Sequence, residues 1–117
     1  MALQLELRGT SILMISDLNR EGQNQLITNH PNLKTDILIC SIDCESKPPS
    51  LGFISSLSPQ LILLHDTGTK TPKDLAVRFR NRMKFHGIPF RSTSVNGTLS
   101  TQFVNGEWKT TGMKLAP

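Results

Sequence analysis

Leu33-Lys-Thr-Asp-Ile-Leu-Ile-Cys-Ser-Ile-Asp-Cys-Glu45 is the stretch whose reading decides the fold. Ile37, Leu38, Ile39 and Cys40 form an unbroken apolar run, the pattern of a central strand covered on both faces. A polar cluster follows at once, with Ser41, Asp43 and Glu45 around Cys44. Two other runs end alike: Ile12–Ile15 meets Ser16 and Asp17, and Leu61–Leu64 meets His65 and Asp66. Open α/β sheets keep their sites outside the carboxyl ends of their strands. Three such run-ends therefore place the candidate site at one sheet edge.

Outward from this stretch, the pattern alternates strands and helices. Leu3, Leu5 and Leu7 alternate with polar residues, a strand with one wet face. Gly9-Thr10 turns the chain into a strand over Ser11–Ser16, forming a hairpin. A helix starts near Asn19, with Glu21 favoured by the helix dipole in its first turn. It carries Leu26 and Ile27 inward and stops before Pro31, ahead of the strand Thr35–Ser41. Consecutive prolines make Glu45–Ser50 a loop. A short helix over Ser50–Leu57 presents Leu51, Phe53, Ile54 and Leu57, and the strand Gln60–His65 follows. Pro72 suits the first turn of a helix that runs to about His86 with Leu75, Val77, Phe79 and Met83 on its apolar side, and Gly87 caps it. The rest is β: Ile88–Thr93, a turn at Asn96-Gly97, Thr98–Val104, a turn at Asn105-Gly106, and Glu107–Thr111. The order ββαβαβαβββ is an α/β fold with a mixed sheet.

The 117 residues suffice for a single domain that buries roughly 65–70% of its unfolded surface. The net charge of +4 comes from 13 Lys and Arg against 9 Asp and Glu, and much of the excess lies between Lys70 and Arg91. Arg78, Arg80, Arg82 and Lys84 of the last helix could face a phosphate backbone, or form a solvated helix face. Trp108 and Phe103 read as core or edge cover and not as a base-stacking surface. Two cysteines make no disulfide scaffold, and Cys40 and Cys44 read as free thiols. No apolar run approaches the ~20 residues of a spanning helix, so the segment itself has no membrane contact.

Asp17, Asp43 and His65, with Glu45, Asp66 and Cys44 nearby, are the candidate metal ligands at the sheet edge. Zinc or manganese would be the ion. No pair among them has a recognised ligand spacing, and loop and capping roles are the favoured account of the acids. Asp66-Thr67-Gly68 matches an aspartic-protease loop, but that chemistry needs a second copy in an all-β setting. Gly68-Thr69-Lys70-Thr71 matches the end of a phosphate-binding loop, but its earlier glycine is replaced by Leu63.

The order of elements and several phrases resemble the second half of the metallo-β-lactamase fold, and more closely the C-terminal hydrolase-like domain of ComEC-type competence proteins, which import DNA. A strand ending Ser16-Asp17 stands where the family has Gly-Asp. Leu33-Lys34-Thr35-Asp36 keeps its Leu-Lys-x-Asp phrase, and Ser58-Pro59-Gln60 its Ser-Pro-x strand entry. Gly68–Pro72 stands at its Gly-His-Pro-x-Pro loop. The resemblance spans about Leu3 to Trp108. It implies a half of the family's αββα sandwich, with helices on one face of the sheet and a two-metal site at the edge. Asp17 would be the bridging carboxylate. The His-His pair falls at Ile42 and Asp43, the last His at Thr69, and the first-half His-x-His-x-Asp-His motif is absent. Two-metal hydrolysis needs several imidazoles and carboxylates. The expectation is thus a domain without catalytic residues or cofactor, a structural or DNA-contacting module of a DNA-uptake protein. A ComEC-like parent would place it on the extracytoplasmic side of the membrane channel. The alternative is a partial or divergent metal-dependent hydrolase or nuclease completed by another segment or chain.

A half-sandwich leaves Leu and Ile side chains across its second face. The expectation is that a missing half-domain of a longer parent chain, or a second copy in a homodimer, covers them.

Overall fold

The computed structural model describes residues 2–16, 18–42, 49–66, 73–92 and 98–113. The elements are β1 (Ala2–Leu7), β2 (Thr10–Ile15), α1 (Arg20–Asn29), β3 (Ile37–Ile42), α2 (Leu51–Leu57), β4 (Leu61–Asp66), α3 (Lys73–Phe85), β5 (Phe90–Ser92), β6 (Thr98–Val104) and β7 (Glu107–Met113). Five strands form one mixed sheet in the order β1-β2-β3-β4-β5, and β6 and β7 form a second, two-stranded sheet. β1 runs antiparallel to β2, and β2 through β5 are parallel. The fold is α/β, as the apolar runs indicate.

The strand order explains where the core lies. Each crossover from β2 to β5 advances one strand in the same direction. Right-handed crossovers then carry α1, α2 and α3 over the same face. Leu13, Leu38 and Ile62 stand side by side on that face, as do Cys40 and Leu64 one pleat along. They pack with Phe53, Ile54 and Leu57 of α2 and Phe79 and Met83 of α3 in one buried cluster.

The helices begin and end where local chemistry allows. The Asn19 side chain accepts a hydrogen bond from the Gly22 N–H at 2.8 Å, capping α1, and Ser50 does the same for Phe53 at 3.1 Å, capping α2. At the end of α3, Gly87 takes φ +67, and the N–H of Ile88 donates to the Met83 carbonyl at 2.9 Å. This is the left-handed cap expected of glycine. Asn105 and Gly106, at φ 52 and 81, make the tight turn between β6 and β7.

Several expectations shift. The first hairpin turns at Arg8-Gly9, one residue early, with Arg8 at φ 52. Thr35 lies before β3 because its N–H donates to the Leu57 carbonyl of α2 at 3.1 Å and not to a neighbouring strand. It is buried, and its hydroxyl donates toward the carbonyls of Ser11 (3.1 Å) and Ile37 (3.0 Å). β5 starts at Phe90 and not at the expected Ile88, since Pro89 has no N–H and supplies only its carbonyl, to the Ile62 N–H at 3.0 Å, and Thr93 lies outside the described residues. The described part of β5 pairs with β4 and not with β6, so the expected β5–β6 hairpin does not form there. The Asn96-Gly97 turn lies outside the described residues.

The second face of the sheet carries Leu3, Leu5 and Leu7 of β1 beside Met14 and Ile12, and these beside Ile39, Ile37, Leu63 and Leu61. The β1 leucines are about half exposed, at 46%, 48% and 52%. Ile37, however, is buried and Ile12, Met14, Ile39, Leu61 and Leu63 are half-buried, so among the described residues the expected open second face is confined to β1.

Candidate functional site

Two regions carry the expected site residues. The first is the carboxyl edge of the parallel strands. Because β2, β3 and β4 are parallel neighbours, Ser16, Ser41 and His65 lie toward this one end of the sheet. Ser41 stands directly beside His65, which is exposed, and Ile42 beside Asp66. Asp17, Asp43, Cys44 and Glu45 lie outside the described residues, so of the three expected ligands only His65 is placed. Among the described residues no three His, Cys, Asp or Glu side chains come together to hold a metal ion. Ile42, where the expected resemblance would put a ligand, stands within β3, and a hydrocarbon has no lone pair to donate. Thr69, at the last ligand position, lies outside the described residues.

Cys40 is a free thiol, 2% exposed. Burial pushes its pKa up to about 12, since the thiolate would lose its hydration. A group held neutral in this way is not a nucleophile.

A cavity of about 640 Å³ lies at the opposite, amino end of the parallel strands. Asp36, Gln60, Leu61 and Arg91 line it, with Glu107 and Thr110 of β7. Its Asp36 is a structural brace. One carboxylate oxygen accepts from the Ser11 N–H at 2.9 Å, and its carbonyl accepts from the Gln60 and Leu61 N–H groups at 2.9 and 3.1 Å. The aspartate thereby ties the starts of β2, β3 and β4 together.

The second region is α3. Phe79 and Met83, four residues apart, are buried at 1% and 0%. That fixes which side of the helix faces out. Arg78, Arg82 and Lys84 are exposed and Arg80 is half-buried. They do not form one stripe, because residues two apart point to different sides of a helix. Arg78 and Arg82 make one pair, Arg80 and Lys84 another. Between the pairs run Asn81 and Phe85, again four apart. Phe85 is 86% exposed and meets the His86 ring edge to face, with centroids 5.1 Å apart.

Phe85 is the residue that a reading for apolar helix faces passes over. Its signal lies in the spacing: six residues from Phe79 and two from Met83, it is out of phase with the buried side. Arg91 extends the same segment, and no Asp or Glu occurs between Asp74 and Glu107. Phe103 and Trp108 are cross-strand partners in the β6–β7 ladder, and their side chains are not among the described ones. No described helix is long and apolar enough to cross a membrane.

No family model matches the chain, and neither does any curated protein or solved structure.

Proposed function

We propose that this chain is a non-catalytic, metallo-β-lactamase-like half-domain of a ComEC-type DNA-uptake protein, and that the outer side of α3 is its contact with DNA. The observation that carries the contact is Phe85, exposed between two pairs of cations on one helix. An apolar ring left in water at the centre of a basic surface favours a partner that is anionic and has flat apolar faces. Nucleic acid has both: cations follow the phosphates, and an aromatic ring stacks on a base. An anionic membrane would accept the charges too, but docking there takes a broad apolar helix face. The apolar side of α3 is used up in the core by Phe79 and Met83. The donor set at the strand ends, with Ile42 in a ligand position, supports a role without hydrolysis.

Fluorescence anisotropy with a labelled oligonucleotide tests the contact. Arg78→Ala with Arg82→Ala weakens binding for every sequence and lowers the salt slope by about one for each phosphate no longer neutralised. Affinity and salt slope that stay unchanged in the double variant rule out this face. Metal analysis of chelator-free protein tests the other half. Stoichiometric zinc or manganese that disappears in Asp17→Ala contradicts the non-catalytic reading and favours a hydrolase.

A further inference from the structure

The two edges of the five-stranded sheet are β1 and β5, and they are built differently. The described part of β5 is three residues long with exposed Arg91 at its centre. Short or charged edges resist the addition of a further strand. β1 is longer, and Glu6 is its one charge. It is six residues long, exposed throughout, without proline or lysine, and carries half-exposed Leu3, Leu5 and Leu7. Within the described sheet its only ladder partner is β2.

We propose that β1 is a self-association edge, on which the β1 of a second copy of this chain pairs antiparallel about a two-fold axis at Leu5. The residue pattern selects both the partner and the register. Directly opposed residues share a sheet face, so leucines stay with leucines only when odd positions oppose odd ones. Centring on Leu5 opposes Leu3 to the partner's Leu7 and Leu5 to the partner's Leu5. It also sets the Gln4 amide against the partner's Glu6, a donor against a carboxylate. Centring on Glu6 would set two carboxylates face to face, which is destabilising, and would leave Leu3 unopposed. Centring on Gln4 would leave Leu7 without a strand residue opposite. The Leu5 register is the one that opposes every leucine and no like charges. It also joins the apolar second faces of both copies into one surface. Each copy uses its β1 once, so the assembly closes at two. The inference is independent of the DNA reading.

Sedimentation velocity over a concentration series, with disulfide trapping, tests it. The wild-type chain shifts with rising concentration from 13.0 kDa toward twice that mass. Leu5→Lys, which sets two ammonium groups opposite each other at an already half-exposed position, returns it to the monomer. In a Cys44→Ser background, Leu5→Cys forms a disulfide dimer under mild oxidation. Its Cβ atoms would stand about 4.5–5.5 Å apart across the axis, close to disulfide reach. Leu3→Cys alone does not cross-link, but mixed with Leu7→Cys it does. A constant 13.0 kDa species overturns the proposal. So does a dimer that ignores Leu5→Lys, or equal trapping of Leu3→Cys and Leu5→Cys.

Discussion

Gln23 shows what single residues contribute that local pattern hides. It is the buried residue of α1, 2% exposed, whereas the expected inward residues Leu26 and Ile27 are only half-buried. Its amide donates to the Leu18 carbonyl at 3.0 Å, and its oxygen accepts from the Ser50 N–H at 3.1 Å. The second bond spans 27 residues and fastens α1 to the first turn of α2. Gln23→Ala leaves two backbone groups unpartnered and costs about 1–3 kcal/mol, read as a lower urea midpoint at unchanged m-value. Cys40 gives a prediction of the opposite kind. Its folded pKa lies above the ordinary value of 9.0, so its contribution to stability is complete below that pH and is lost as pH rises toward about 12. In a Cys44→Ser background, a thiol reagent near neutral pH leaves the native protein unlabelled and reacts once denaturant is added. Rapid labelling of the folded chain contradicts a closed core.

Among elements, those with a one-dimensional signature were legible in the sequence. The runs Ile12–Ile15, Ile37–Cys40 and Leu61–Leu64 became the three central parallel strands, and Asn19, Ser50 and Gly87 cap helices where their chemistry suggests. What periodicity left open was partnership. Nothing local tells β5 to pair with β4, since the ladder depends on a helix of thirteen residues bringing it back. The candidate site divides the same way. The strand ends gather at one edge as read, but one of three expected ligands is described there. The basic residues of α3 separate into two pairs around Asn81 and Phe85, which counting charges does not reveal. Removing that exposed ring costs the fold almost nothing, within about 0.5 kcal/mol. If Phe85 stacks on a base, Phe85→Ala weakens oligonucleotide binding by about 1–3 kcal/mol, the range typical of one stacked base. A calorimetric unfolding scan beside a binding titration separates the two effects. Loss of both together would make Phe85 a structural residue instead.

At the scale of the whole molecule, the arrangement is one-sided. Three helices bury one face of the sheet, while on the other Ile37 is buried, its neighbours in β2, β3 and β4 are half-buried, and the leucines of β1 stand most in water. If association protects that edge, folding is linked to it by mass action. The melting temperature of the wild-type chain then rises with protein concentration, and that of Leu5→Lys does not. Parallel melting curves at all concentrations would remove the linkage.

The most direct test of the functional reading is an amide-resolved NMR titration with a short single-stranded oligonucleotide, with Lys84, Phe85 and Asn81 as reporters. We expect the largest shift changes along the outer side of α3 and around His86, with Ser41 and His65 unmoved. Changes concentrated at the ends of β3 and β4, with α3 silent, would contradict it.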